Sequence, residues 1–483
     1  MENNKNQIRE RVLHALKWSA SAKFFSQLIS WGITIVVIRL LTPADYGLMA
    51  IALLFINFTM MMNELGLGAA LVQKRHLVEL EVQQVFGFIL LGNLLFFIIL
   101  FIAAPFISDF FDEKRLILVV QVLAIQFLLA GFELVPMALL ERDLDLKKKS
   151  IVQLAGQVLG GLCSLSLALN GLGVWSLVWG SMTTSAVRAV GMNLARPCLR
   201  LPRFSFIGMK KMFTFGSFVT GERVLWFFYN QADIFIIGKL LGKELLGIYS
   251  VAMHLSSLLM HKTGEVIYTV SFPAFAKVQS EKERTAAYLL KSVRVLSFIM
   301  FPVFLGMSAI ADEIVYVLLG NKWEAAAIVL QLVCIVMPLR MVSNLFPPLL
   351  QGVGRPDISL GNLIFASLFM PIGFLIGTKW GLVGVSLAWI ITFPLVLLIM
   401  LHRTLPLVNL HIKDIFQAMA WPLFGSILMY CVVILIRFLI EGVAGVIVTI
   451  LILIISGVFV YVFTMLSMNR HGWKEVYGLL RSE

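Results

Sequence analysis

Fourteen apolar runs, each long enough to cross a lipid bilayer and separated by short polar breaks, follow one another along the chain. A hydrocarbon core about 30 Å thick requires roughly 20 helical residues, and inside it every backbone N–H and C=O must be paired within its own segment. The runs lie near 20–40, 45–63, 83–104, 116–140, 151–169, 174–195, 213–238, 245–270, 295–311, 325–350, 358–378, 381–401, 415–436 and 443–466. They predict an all-α polytopic membrane protein with 14 transmembrane helices and no appended soluble domain. Composition agrees: 59% of the 483 residues are hydrophobic and 14% are charged, too apolar for a water-soluble surface.

The net charge of +12 sits in short basic clusters between the runs. That placement suits loops meeting anionic lipid headgroups and argues against nucleic acid as a partner. Cys163, Cys198, Cys334 and Cys431 have no spacing for a metal site or a disulfide framework. At the N-terminus, Ile8, Val12, Leu13 and Leu16 share one helical face beside Lys5, Arg9, Arg11 and Lys17, which reads as an interfacial helix and not as a cleavable signal. With the N-terminus inside, 26 Lys and Arg fall in cytoplasmic segments and 8 in outer ones, so both termini are expected to be cytoplasmic.

Two stretches recur. At an offset of 200, Arg39, Leu40, Leu41, Gly47 and Ala52 match Lys239, Leu240, Leu241, Gly247 and Ala252. At an offset of 210, "GLGVWSLVW" from Gly171 is echoed by "GLVGVSLAW" from Gly381. Either chance likeness between apolar stretches or a duplicated six-helix unit explains them, and the common order favours duplication. Two six-helix lobes follow, residues 1–200 (the interfacial helix and spans 1–6) and 201–405 (spans 7–12), with spans 13 and 14 and a cytoplasmic tail over 406–483. The polar break in each first hairpin then carries a Gly that permits a tight turn.

Charges inside the runs form stripes. Span 1 aligns Lys23, Gln27, Ser30 and Thr34 on one helical face, and span 7 aligns Glu222, Trp226, Tyr229 and Asp233, with Arg223 and Asn230 beside them. Lys23 matches Arg223 at the repeat offset, so equivalent helices would each turn a cation toward a gap between the lobes. Two other readings stay open: Lys23 reaching the interface, and Arg223 pairing with Glu222 or Asp233. In span 8, His254, Ser257, His261, Glu265 and Tyr268 share a face flanked by Lys262; His261 with Glu265 is either a proton-coupling pair or the polar lining of a wet passage. Arg188 and Arg340 either join the cavity cations or reach an interface, and Glu133 is a weaker signal. Cations suit an anionic substrate group, and guanidinium suits phosphate oxygens.

Taken together, "RLLTPADYGLMA" from Arg39, "LGLGAALVQK" from Leu65, "LLERDLDLKKKS" from Leu139, "SFPAFAKVQ" from Ser271 and "NKWEAAAIVLQLVCIVMPLR" from Asn321 resemble the polysaccharide-transporter branch of the superfamily of multidrug, oligosaccharidyl-lipid and polysaccharide exporters. The likeness is greatest to flippases of the colanic-acid and O-antigen type. It implies a multidrug-exporter-like fold in the bacterial inner membrane, alternating access through a central cationic cavity, and an undecaprenyl-diphosphate-linked oligosaccharide as cargo. A polysaccharide polymerase and glycosyltransferases are the implied partners, and no cofactor or metal is expected. A drug or cation antiporter of the same fold is the alternative, disfavoured because the charges within the spans lean basic: Lys23, Arg188, Arg223, Lys262 and Arg340. A membrane-embedded glycosyltransferase is disfavoured because loops of about 20 residues carry no cluster of acid, base or metal ligands.

Overall fold

A computed structural model describes residues 29–63, 79–143, 145–197, 202–203, 210–279, 281–440, 445–469 and 472; the side chains of 63, 210–222 and 259–270 lie outside that description. Described residues form helices joined by short turns: α1 Ile29–Leu40, α2 Pro43–Asn63, α3 Glu79–Phe111, α4 Leu116–Arg142, α5 Leu146–Leu169, α6 Val174–Ala195, α7 Lys210–Leu240 and α8 Gly242–Val278. There follow α9 Lys282–Ala309, α10 Ala311–Leu318, α11 Ala325–Ser343, α12 Phe346–Gly352, α13 Pro356–Gly377, α14 Gly381–Thr404, α15 Ile412–Ile440 and α16 Val446–Met468.

Each apolar run contains a helix, and among the described residues nine segments are long and apolar enough to cross a membrane. Large apolar side chains such as Phe106, Leu194, Phe438 and Ile455 stand exposed along them. In water such a surface would drive aggregation; in lipid it is the ordinary outer face of a multi-pass membrane protein.

The chain divides into two compact units: residues 1–227 with 242–247, and 228–241 with 248–483. In unit 1, α3 packs on α4, and α6 on α4 and α5. Val82, Val85, Phe86 and Ile89 of α3 interlock with Val135 and Ala138 of α4, while Val37 and Leu41 meet Ala168 of α5. In unit 2, α9 packs on α11 and α15, and α14 on α11 and α13. Helices α15 and α16 dock there: Tyr461 Oη donates to the Phe298 carbonyl at 2.8 Å, and Arg437 reaches Asp312 and Glu313 at 2.6 Å each.

One end of unit 1 explains the polar break after α1. The sequence Thr42-Pro43-Ala44-Asp45 is a capping box: Asp45 N–H donates to Thr42 Oγ1 at 3.3 Å, and Thr42 N–H donates back to Asp45 Oδ2 at 3.1 Å. Pro43 opens the helix where no intrahelical N–H bond is needed. The other Asp45 oxygen accepts from Val174 N–H at 3.1 Å, so one carboxylate caps both α2 and α6. Beside it, α2 and the start of α8 cross at backbone contact. A Cβ on Gly47 would stand 1.8 Å from the Lys243 carbonyl oxygen, and one on Gly247 would stand 1.8 Å from that of Pro43. Under the 200-residue offset these two contacts exchange, since Pro43 falls on Lys243 and Gly47 on Gly247. Lys243 also pairs with Glu113 in the α3–α4 turn, which Arg115 contacts at 3.2 Å. Burial alone would raise the Glu113 carboxyl, but hydrogen bonds from Lys243 and Arg115 hold it below its ordinary value.

Proline sets one break inside unit 2. Pro338 gives α11 no N–H for the Cys334 carbonyl, and Pro347 and Pro348 fall in the first turn of α12, where missing donors are tolerated. The helix stops at Ser343 and restarts at Phe346, directly after Arg340.

Candidate functional site

A charge buried in hydrocarbon costs a few kcal/mol, so the side chains that carry one need partners or a purpose. In unit 1, Glu133 of α4 and Arg188 of α6 form an ion pair, with Nη2 2.5 Å from Oε1. The Arg188 stem lies on Gly156 of α5, where a Cβ would come within 2.9 Å of its Cγ. Two turns away, Gln126 Nε2 donates to Ser181 Oγ at 2.8 Å between the same two helices. Polar contacts thus align α4 and α6 along their length, and one guanidinium nitrogen of Arg188 is already engaged.

In unit 2, four helices bring polar groups together in a row. Asp233 of α7 accepts from Ile234 N–H at 2.8 Å and, on its other oxygen, from Tyr249 Oη of α8 at 2.6 Å. Tyr249 Oη in turn accepts from Trp389 Nε1 of α14 at 2.9 Å. The indole ring is gripped by Phe374 and Phe393, with ring centroids at 5.1 and 6.2 Å. Over its face stands the Arg340 guanidinium of α11, 4.1 Å from the ring centroid. Asp233, Tyr249 and Trp389 are 2% exposed or less, and Arg340 is 7% exposed.

The charge on Arg340 has no counterpart at ion-pair distance among the described residues; its contacts are the indole face and a long approach of 3.8 Å to Met337 Sδ. Asp233 acts on it only through space, with both carboxylate oxygens already engaged. Arg340 lies in the last turn of α11, three residues before that helix stops at Ser343. A stacked guanidinium keeps its N–H edge directed for oxyanions.

The sequence pattern described as "Polysaccharide biosynthesis protein" matches residues 36–328. The chain belongs to the polysaccharide biosynthesis protein family. Over 392 residues it is 25% identical to the lipopolysaccharide biosynthesis protein WzxC of Escherichia coli (strain K12), covering 80% of this chain and 79% of that one. The succinoglycan biosynthesis transport protein ExoT of Rhizobium meliloti (strain 1021) is 27% identical over 350 residues, 71% of this chain and 70% of that one. Among solved structures, the lipid II flippase MurJ in its inward closed conformation superposes with a TM-score of 0.73 at 14% identity, covering 94% of this chain and 99% of that one. That superposition establishes the fold.

In this polysaccharide biosynthesis protein the span 7 stripe is divided between the units. Arg223 and Trp226 are exposed and belong to unit 1; Tyr229 and Asn230 are half-buried and Asp233 is buried, all in unit 2. Ser30 is half-buried in α1. The interfacial helix, Lys23 and Gln27 lie outside the described residues, as do the side chains of Glu222, His261, Lys262 and Glu265. Among the described residues no cluster of His, Cys, Asp and Glu has metal-binding geometry. Tyr249 and Trp389 were not among the residues the sequence singled out for chemistry. Trp389 did carry one signal, as the tryptophan matched at the 210-residue offset.

Proposed function

We propose that the protein is a flippase that moves undecaprenyl-diphosphate-linked oligosaccharide repeat units across the bacterial cytoplasmic membrane for cell-surface polysaccharide assembly. In a chain of this family, the supporting observation is Arg340: a buried guanidinium in the last turn of α11, stacked on Trp389, with no carboxylate at ion-pair distance among the described residues. The names of WzxC and ExoT, and the fold shared with MurJ, point the same way.

In this scheme two six-helix lobes, 1–200 and 201–405, alternate access, with spans 13 and 14 appended and both termini cytoplasmic. Arg340, Lys23, Arg223 and Lys262 receive the diphosphate. Arg188 ranks behind them because Glu133 holds it. Gln27, Ser30, Trp226, Tyr229 and Asn230 contact the polar head, while the polyprenyl tail stays in lipid. Glu222, His261 and Glu265 are the proposed ion-coupling groups, and Asp233 ranks behind them because both of its carboxylate oxygens are already engaged. Glycosyltransferases build the cargo and a polymerase consumes it.

The test is reconstitution in liposomes with a labelled undecaprenyl-diphosphate oligosaccharide. The protein should expose the sugar to an impermeant glycosidase, with the glycolipid mass unchanged before that enzyme is added, and Arg340→Ala should slow the exposure about a hundredfold or more, as expected for loss of the charge that contacts the diphosphate. A changed mass would identify an enzyme instead. Gradient-driven export of a cationic dye, with the glycolipid left in place, would favour the antiporter reading and overturn this one.

A further inference from the structure

Stacking alone does not fix which way a guanidinium presents its edge, because the ring beneath it must itself be held. Here the ring is held from its far side. Trp389 has one polar atom, Nε1, and its N–H is committed to Tyr249 Oη. Tyr249 uses its single proton on Asp233 Oδ2, leaving its lone pairs to receive the indole N–H. Asp233 is anchored by the adjacent Ile234 N–H. Each hydrogen bond in this row therefore has one direction, and reversing one would leave a buried donor or acceptor unsatisfied, at a cost of about 1–3 kcal/mol. With Phe374 and Phe393 against the indole, its plane has little freedom, and neither has the guanidinium resting on it.

We propose, building on the flippase reading above, that Asp233, Tyr249 and Trp389 are positioning residues for an anion receptor in unit 2 whose contacting group is Arg340, and that the group received is a diphosphate. Arg340 touches the ligand and the other three do not. The geometry matters because bidentate recognition needs the guanidinium plane aligned with two oxygens, whereas a freely turning cation supplies charge alone. Tyr249 holds a place in the mechanism that no charge count reveals: it carries no charge, yet loss of its hydroxyl unties the indole on one side and the carboxylate on the other.

The experiment measures equilibrium binding to the full-length protein in lipid nanodiscs, with farnesyl diphosphate as the lipid-borne probe and inorganic pyrophosphate as the free one. Arg340→Ala should abolish binding. Tyr249→Phe should weaken it about tenfold and Trp389→Phe about fivefold, the expected cost of a misdirected charged contact and of a poorer π face, with the folded fraction unchanged in near-ultraviolet circular dichroism. Asp233→Ala should weaken binding as Tyr249→Phe does, while Asp233→Asn, whose amide oxygen still accepts from Tyr249, should restore it; a purely structural role would not follow hydrogen-bond acceptance in this way. If Tyr249→Phe fails to fold, Trp389→Phe and the Asp233 pair carry the same test.

Binding of farnesyl diphosphate alone assigns a lipid-borne headgroup, and binding of both probes assigns diphosphate as such. Wild-type affinity in Tyr249→Phe and Trp389→Phe, with binding lost in Arg340→Ala, would overturn the positioning roles and leave the flippase reading standing. Wild-type affinity in Arg340→Ala, or no binding of either probe to the unmodified protein, would overturn the receptor itself.

Discussion

Replacing Gly47 by Ala puts a methyl group 1.8 Å from the Lys243 carbonyl oxygen, where ordinary contact begins at 3.4 Å. The obstacle is backbone, so no rotamer change relieves it. The α2 and α8 backbones must part by about 1.6 Å, and overpacking of that order costs about 1–3 kcal/mol. Alanine returns part of this, because an interior helical glycine is worth roughly 0.5–1 kcal/mol less than alanine. The net expectation is a loss of about 1–2 kcal/mol. Gly247→Ala meets the same 1.8 Å against Pro43 and should cost the same. Both clashes sit at one crossing, so the separation forced by the first makes room for the second, and the double variant should cost little more than either single. Gly32→Ala in α1 is the control: a Cβ there meets nothing within 4 Å, and propensity alone should make that variant more stable. Unfolding by SDS titration in mixed micelles measures all four. A Gly47→Ala protein stabilised as Gly32→Ala is, or a double variant whose loss is the sum of the singles, would refute the reasoning.

Asp45→Ala removes the cap from two helices at once and should cost about 2 kcal/mol in the same titration, twice an ordinary cap, with Asp45→Asn between it and the wild type. The Glu113 clasp predicts a pH dependence. Its folded carboxyl lies below its ordinary value, so its contribution is complete above the unfolded pKa and is lost as pH falls through the folded one. Partial exposure of Lys243 and Arg115 keeps the effect to about 0.5–1 kcal/mol, and Glu113→Gln should flatten the acid limb of stability against pH. Arg188→Met leaves Glu133 buried without its partner and should cost about 3 kcal/mol, most of it recovered in Arg188→Met with Glu133→Leu, by unfolding titration of single and double variants.

The helices were legible because hydrocarbon thickness sets a minimum length and lipid tolerates few interruptions, so the apolar runs, including that of Gly381–Thr404, could be counted directly. The polar break read in sequence as a tight turn at Gly47 and Gly247 is instead a helix start, capped after α1 by Thr42 and Asp45, and both glycines lie inside helices, α2 and α8. The offset of 200 singled out Gly47 and Gly247, yet equivalence in sequence says nothing of contact, and only the fold shows each against the carbonyl facing the other. Arg340 could be read as a charge in an apolar run. Its surroundings could not, since Trp389 is 49 residues away and Tyr249 is 140 residues from Trp389, and no periodicity links such distances. The span 7 stripe follows helical spacing faithfully, but α7 changes company at Phe228, so one regular face holds an exposed Trp226 and a buried Asp233.

Because the crossing of α2 and α8 is read by carbonyl oxygens and absent side chains, it is blind to what the opposing residues are. A proline at 43 and a lysine at 243 serve it equally well. The two opposing positions can thus carry unlike side chains, a helix-starting ring at one and a salt-bridging amine at the other, while the crossing itself keeps its shape.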